Sequence, residues 1–579
     1  MVSCCGCWIS LLLVLQVLVS SQWRLNTAEA EWFLGVNMSA QRFDQTDRNE
    51  SIRALSGECF DLLVIGGGIT GAGVARDAAM RGLSVALIEA QDLASGTSSR
   101  SSKMIHGGLR YLVAGDVAVV KESASERATL HRIAPHLAQK TPYVIPTGSV
   151  RSKLILRAAL WAYERLGGVE RADYHEVWSR DELAEKEPLI ERSRLKGAVV
   201  YPEFLTDDSR LTVATVRSAI DHGATAVTYM KATNIRKDQT FRIDAASTLP
   251  GENCEVTIQA RAVVNAAGPW VDQVCDLEQP QPPRLALSRG VHLVFSHADL
   301  PVRNTVVMRT PDARRIFAVP LGEYTYIGTT DDYHPEYEYW PPVTDQDVSY
   351  LLSATHKAMP EANLSPDRIV SVWSGIRPLV GDGSGRASKE LSRKDEVWTS
   401  PSGLLSVGGG KLSAYRAMAE RIVDTVIENH GFTAQPCTTA DVPLPGGDAV
   451  MLASDLTGIG DNQAERLARL YGAEAPSLLG NTGGDELVKA EVQQAVQKEG
   501  ALRLEDYWAR RSSRAWFDEG AGLPALNRAA AAMAELLSWD DNRKAMEIEN
   551  CRDIDRASRA GFSSEVTGQG VADDCRAAG

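Results

Sequence analysis

The sequence predicts an α/β protein with a helical C-terminal region, and three observations carry that expectation. Residues 59–65 (CFDLLVI) form a short, apolar, β-branched run that ends at glycine, the pattern of a fully buried strand. Residues 69–81 alternate apolar and small side chains at helical spacing until Gly82, and residues 83–88 (LSVALI) form a second apolar run closed by Glu89. From about Asp448 the chain turns to Ala/Glu/Arg/Leu patterns such as residues 464–471 and 527–537, which read as helices.

Ahead of the first strand, residues 8–19 (WISLLLVLQVLV) are apolar except for Ser10 and Gln16. That run is shorter than the roughly 20 residues a spanning helix needs, and it suits the apolar core of a signal peptide. It lacks the basic leading residues of a secretory signal. It also lacks the Arg-rich, acid-poor pattern of a mitochondrial presequence, since Glu29 and Glu31 arrive early. Residues 1–57 are therefore expected to be targeting or linker material.

Between the first strand and its helix, Gly66, Gly68 and Gly71 satisfy G-x-G-x-x-G, and Glu89 closes the second strand. The first glycine permits the tight turn, the second lets backbone approach a pyrophosphate, and the third lets helix and strand pack closely. The helix N-terminus adds N–H groups and a positive dipole. An acid at position 89 accepts ribose hydroxyls and opposes a 2′-phosphate, so NADP is disfavoured while FAD and NAD stay open. This is a Rossmann-like unit. Further along, residues 262–264 enter the turn Asn265-Ala266-Ala267-Gly268-Pro269-Trp270, residues 324–328 read as a strand, and residues 404–407 run into Gly408-Gly409-Gly410.

With 579 residues, 44% hydrophobic and 23% charged, the chain has the makings of two to four globular domains. Its net charge of −14 argues against nucleic acid as a partner. Of nine cysteines, three (Cys4, Cys5, Cys7) crowd the N-terminus and the rest are scattered. No second pair or nearby His completes a metal site, no EF-hand pattern occurs, and no disulfide framework is expected, which suits a reducing compartment.

Five segments then point to a family: residues 98–112 (SSRSSKMIHGGLRYL), 265–270 (NAAGPW), 327–331 (IGTTD), 374–379 (SGIRPL) and 409–412 (GGKL). Together, in this order, they closely resemble the FAD-dependent glycerol-3-phosphate dehydrogenase family. The resemblance runs from about Phe60 to Leu444 and continues more weakly through residues 506–518 (DYWARRSSRAWFD) and 535–549. It implies a Rossmann-like FAD-binding domain of the amino-acid-oxidase type, an antiparallel-sheet substrate domain and a helical C-terminal domain. The expected division is a discontinuous FAD domain (58–134, 200–284, 395–432), a substrate domain (135–199, 285–394), helices over 445–560 and a tail at 561–579. It also implies oxidation of glycerol 3-phosphate to dihydroxyacetone phosphate, with electrons passed to membrane ubiquinone. The same resemblance, with the long N-terminal extension, implies a monotopic attachment at the mitochondrial inner membrane of a eukaryotic cell; the oligomeric state is left open, a homodimer being one option. Two positions depart from the family pattern: Val113 stands where an acid is common, and Gly408 where a bulky residue often precedes Gly-Gly-Lys, which could loosen the flavin pocket.

By the same resemblance, His292 is the expected base and His106 the alternative; imidazole titrates near the operating pH. Arg110, Tyr111, Arg377 and Arg393 match substrate-site positions, and the guanidinium fork suits a phosphate. Lys411, at the start of a helix that would favour a reduced, anionic flavin ring, is expected near both ring and substrate, and Thr329 and Thr330 offer hydroxyls. The expected FAD-binding residues are Gly66, Gly68, Gly71, Glu89, Ser98, Ser99, Ser102, Lys103, His106, Gly107, Ala267, Gly268, Trp270, Gly409, Gly410 and Leu412. Rival readings are an oxygen-using glycerol-3-phosphate oxidase, a related oxidase of another small acid, and a non-catalytic flavin protein. The run Tyr339-Trp340-Pro341 is left unassigned.

Overall fold

The strand Cys59–Ile65 lies between two parallel neighbours, Val85–Ile88 and Glu255–Asn265. The computed structural model describes residues 43–106, 117–381, 395–479 and 484–562. Thr225–Val227 and Leu405–Gly408 extend the sheet on either side, also in parallel, and Glu396–Thr399 closes one edge antiparallel. Both faces of the central strand are covered. Leu62 and Val64 pack with Ala72, Ala75 and Ile422, from the helices Ile69–Met80 and Tyr415–His430, whereas Leu63 and Ile65 pack with Phe241, Ile243 and Ile258. Burial on both faces is why this strand reads as a continuous apolar run. The chain passes from Cys59–Ile65 through helix Ile69–Met80 to Val85–Ile88 on one side, while the neighbour on the other side arrives some 200 residues later. The strand order therefore reverses there, and a crevice opens at the carboxyl ends.

A second sheet, ten-stranded among the described residues, centres on Leu285–Ser296, which pairs antiparallel with Tyr324–Gly328 and Ser371–Val380. One pairing departs from the expected antiparallel pattern: Thr305–Arg309 runs parallel to Gln139–Pro146. The expected domain bounds also shift. Met104–Ile105 and Ala198–Leu205, assigned wholly or mostly to the FAD domain, pair with each other in this second sheet. A two-residue strand carries no periodicity, and a bound at residue 200 cuts through a strand whose register is set by long-range pairing.

One further expectation changes. Residues 45–57 are not linker but a helix, Gln45–Gly57, whose Leu55 is fully buried and whose Arg48 bonds the Thr228 carbonyl and Glu252, the latter at 2.8 Å. Its sequence, QTDRNESIRALSG, offers only Ile52 and Leu55 as large apolar residues, too few for a visible helical stripe. In the C-terminal region, Asp461–Tyr471 and Leu526–Leu537 form as expected, and Ser538 (φ +55°) ends the latter before the helix Asp541–Arg559 begins.

The helical region is docked by buried ion pairs. Arg511 grips both oxygens of Asp92 at 2.7 Å, Arg510 bonds Asp92 at 2.6 Å and Asp506 at 2.7 Å, and Arg210 holds Glu499 at 2.5 and 2.8 Å. The segment 506–518 therefore acts as a docking element. No helix among the described residues is long and apolar enough to cross a membrane.

Candidate active site

The crevice at the strand ends is a cavity of about 570 Å³, within the range of small-molecule and cofactor sites. Gly66 (φ +115°) brings its turn against the one after Glu255–Asn265: a Cβ there would lie 2.6 Å from the Ala266 carbonyl oxygen. A Cβ at Gly71 would lie 1.9 Å from the Gly66 carbonyl oxygen, so glycine alone allows helix and turn to meet. Ile69 at the helix N-terminus donates its N–H to Ser98 Oγ at 2.9 Å. Glu89 accepts the N–H groups of Gly67 (2.6 Å) and Gln91 (2.8 Å). Burial pushes its pKa up, and those two bonds act in the opposite direction. On the far wall, Gly409 and Gly410 carry positive φ (74° and 90°) and lead through Lys411 and the short 3₁₀ turn Leu412–Ala414 into the helix Tyr415–His430.

Two glycine turns, two helix starts, apolar walls from Ile65, Ile88, Val274 and Leu277, and an acid at the second strand end line this one cavity. That donor and shape set fits an FAD. Among the expected FAD-binding residues, Gly66, Gly68, Glu89, Ser98, Ala267, Gly268, Trp270, Gly409, Gly410 and Leu412 line it, as does Lys411. Gly71 and Ser99 sit behind the wall. Lys103 is redirected: only 1% exposed, its ammonium bonds Asp208 at 2.6 Å and the Ser99 carbonyl at 3.2 Å, so its charge is neutralised inside the protein rather than offered to the cavity. His106 is exposed after strand Met104–Ile105, and Gly107 lies outside the described residues. The space a bulky residue 408 would take is filled by Trp398 and Leu285, 3.0–3.2 Å from a Cβ built on Gly408; the expected loosening is offset by these two side chains.

Beside the cavity, the second sheet's register sets His292 opposite Gly328 and Trp373. The imidazole stacks on Trp373 (4.6 Å between centroids, 13°), and its Nε2 lies 2.9 Å from Ser102 Oγ, while Nδ1 has no hydrogen-bond partner among the described residues. Ser102, expected on FAD, thus faces His292. A Cβ at Gly328 would sit 2.1 Å from the ring, so glycine is required beneath it. Burial, then the charges of Arg377 and Lys103, hold the His292 pKa well below the ordinary histidine value; at neutral pH it is an uncharged proton acceptor.

Arg377 lies two strand residues above Gly375 and immediately before Pro378, which lines the cavity. It donates to Thr329 Oγ1 at 2.9 Å and pairs with Asp331 at 3.4 Å. Thr330 turns inward, its Oγ1 accepting the Val291 N–H at 3.1 Å. Arg110, Tyr111 and Arg393 lie outside the described residues.

The sequence reading gave no role to Asp331 and left the aromatic pair Tyr339 and Trp340 unassigned. Asp331 follows the Gly-Thr-Thr run quoted above and could have been flagged as an acid beside an expected cation. Tyr339, which lines the cavity stacked on Trp270 at 4.3 Å, had no local signal.

Fold and cavity together define an FAD-dependent oxidoreductase. A family model described as FAD dependent oxidoreductase matches residues 61–416, and one described as the C-terminal domain of alpha-glycerophosphate oxidase matches residues 437–544. An aerobic glycerol-3-phosphate dehydrogenase of Bacillus subtilis is 34% identical over 542 residues, covering 89% of this chain and 98% of the relative. One from Staphylococcus aureus is 36% identical over 524 residues, covering 85% and 94%. The solved glycerol-3-phosphate dehydrogenase of Bacillus halodurans, complexed with FAD, superposes with a TM-score of 0.75 at 32% identity, covering 90% of this chain and 99% of that one. The chain belongs to the FAD-dependent glycerol-3-phosphate dehydrogenase family.

Proposed function

We propose that the chain oxidises sn-glycerol 3-phosphate to dihydroxyacetone phosphate and passes the electrons to ubiquinone at a membrane surface. The observation that carries this reading is that Arg377, bonded to Thr329 and near enough to lower the pKa of His292, immediately precedes Pro378, which lines the same cavity as Lys411. Bound there, FAD supplies the acceptor for the hydride leaving the carbinol carbon. Arg377 and Lys411, with Arg110, Tyr111 and Arg393, hold the dianionic phosphate, and Asp331 keeps the Arg377 fork turned toward Thr329. His292 takes the hydroxyl proton, a role its uncharged state supports.

The membrane part of the proposal is supported by the helix Val150–Leu166, where Val150, Leu154, Ile155 and Trp161 are 56–63% exposed. Val150, Leu154, Ala158 and Trp161 follow one helical stripe, bordered by exposed Arg151 and Arg157 and ended by exposed Arg165. An apolar stripe edged by cations suits attachment to an anionic bilayer despite the overall acidity. The mitochondrial inner membrane as address rests on residues 1–57 and the family resemblance alone, the relatives named above being bacterial, and imaging of a C-terminal fluorescent fusion tests it. A homodimer is part of the same reading, tested by sedimentation of the detergent-solubilised protein.

A second acceptor, oxygen, is favoured by the C-terminal match to an oxidase domain. Turnover of glycerol 3-phosphate with a soluble ubiquinone analogue under nitrogen, compared with peroxide yield in air, separates the two. Quinone-dependent turnover with little peroxide is the expected result; stoichiometric peroxide would move the assignment to an oxidase, and no turnover with either would reject the substrate.

A further inference from the structure

The loop between Asp332–Tyr333 and the helix Asp345–Ala358 carries Tyr339-Trp340-Pro341 and is fastened at both ends. His334 donates its N–H to the Leu287 carbonyl at 3.1 Å and pairs with Glu338 at 2.9 Å. Beyond the aromatic pair, Arg289 donates to the Pro342 carbonyl at 2.8 Å and bonds Asp347 at 2.7 Å. Between these anchors the two rings point to different partners. Tyr339 stacks on Trp270 at 4.3 Å and 24°, and both rings line the cofactor cavity. Trp340 takes the Arg100 guanidinium over its face at 4.0 Å and packs against Trp516 (5.8 Å) and Trp508 (6.4 Å) of the C-terminal region.

The circuit closes on itself. Arg100 donates to the carbonyls of Ser95 and Gly96, the latter at 3.2 Å. A Cβ at Gly96 would sit 2.9 Å from the Trp270 ring. The same stretch is held at Asp92 by Arg510 and Arg511. One wall of the cavity is thus clamped by C-terminal side chains at Trp340 and at Asp92, with Tyr339 as the ring that reaches the cavity.

We propose that Tyr339 is a cofactor-retaining residue that closes the FAD cavity against Trp270, and that the C-terminal helical region governs FAD retention by holding Trp340. The proposal rests on FAD as the cofactor and is independent of the substrate. Loss of an aromatic pair of this kind corresponds to a several-fold to about tenfold change in retention.

The test is the rate at which FAD leaves the full-length holoenzyme after rapid dilution into a large excess of buffer, read by the rise in flavin fluorescence as FAD is freed, with no substrate present. Tyr339→Leu and Trp340→Leu are each expected to release FAD several-fold to about tenfold faster, while Tyr339→Phe releases it at the wild-type rate. Far-UV circular dichroism of each holoprotein reports folding, and Tyr339→Met serves if Tyr339→Leu does not fold. Wild-type release from Tyr339→Leu would overturn the role of the ring. Wild-type release from Trp340→Leu would overturn the coupling to the C-terminal region.

Discussion

Burial acts on His292 in two ways: it fixes the ring between Gly328 and Trp373, and it strips the imidazole of its charge at neutral pH. A histidine with a depressed folded pKa stays in its basic form until the pH falls below that value. The acid limb of the flavin-reduction rate at saturating glycerol 3-phosphate is therefore expected well below pH 6.5, and a limb at 6.5 in that rate would remove His292 as the titrating base. His292→Ala should slow reduction of bound FAD in stopped-flow while leaving the flavin-to-protein ratio intact; an unchanged reduction rate would exclude the assignment. For Arg377, replacement by alanine should lower kcat/KM for glycerol 3-phosphate by at least about tenfold, about 1.4 kcal/mol, as for other charged hydrogen bonds lost from a binding site. Near-wild-type kinetics would take Arg377 out of the site.

Two elements carry sharper tests of the architecture. Gly71 places the helix Ile69–Met80 against the turn at Gly66, and with 1.9 Å between a built Cβ and the Gly66 oxygen, Gly71→Ala forces them apart. Overpacking of this kind costs about 1–3 kcal/mol, and purified Gly71→Ala should show a clearly lower flavin-to-protein ratio. The helix Val150–Leu166 should lose its attraction to vesicles of phosphatidylglycerol when Leu154 and Trp161 are both changed to Glu; sedimentation with the vesicles reads the loss. These elements also mark what could be read beforehand. The strand, glycine turn and helix at residues 59–81 were legible because their signals are local: continuous burial, backbone approach and helical spacing. The helix Gln45–Gly57 was not, because two apolar residues leave no stripe. At the site, the cavity-lining glycines, Glu89, Trp270 and Lys411 were legible from motif position, whereas the turn of Lys103 toward Asp208, the grip of Asp331 on Arg377 and the reach of Tyr339 depend on partners 46 to 105 residues apart or on a loop whose path only tertiary packing sets.

For the molecule as a whole, buried ion pairs join the C-terminal region to the helix Asp208–Asp221 and to Asp92 in the loop after Val85–Ile88. Burial pushes the carboxyl of Glu499 up, but Arg210 outweighs it and holds the pKa down at about 2; Asp207 is likewise held at about 2, against its burial, by Lys103 and Arg469. Both folded values lie below the unfolded ones near 4, so the unfolded chain binds more protons in that interval. Their stabilisation, roughly 2–3 kcal/mol each, is complete above about pH 4.5 and is lost as the pH falls toward 2. Thermal melting between pH 5 and 3 should show a falling Tm, with a shallower fall in Glu499→Gln, which has already lost its share. The central claim is that one cavity brings FAD and a phosphorylated secondary alcohol together. Its most direct test is the visible spectrum of the purified holoenzyme under strict anaerobiosis as glycerol 3-phosphate is added. Bleaching of the 450 nm flavin band with stoichiometric dihydroxyacetone phosphate is the predicted result; a flavin left fully oxidised by saturating glycerol 3-phosphate would contradict it.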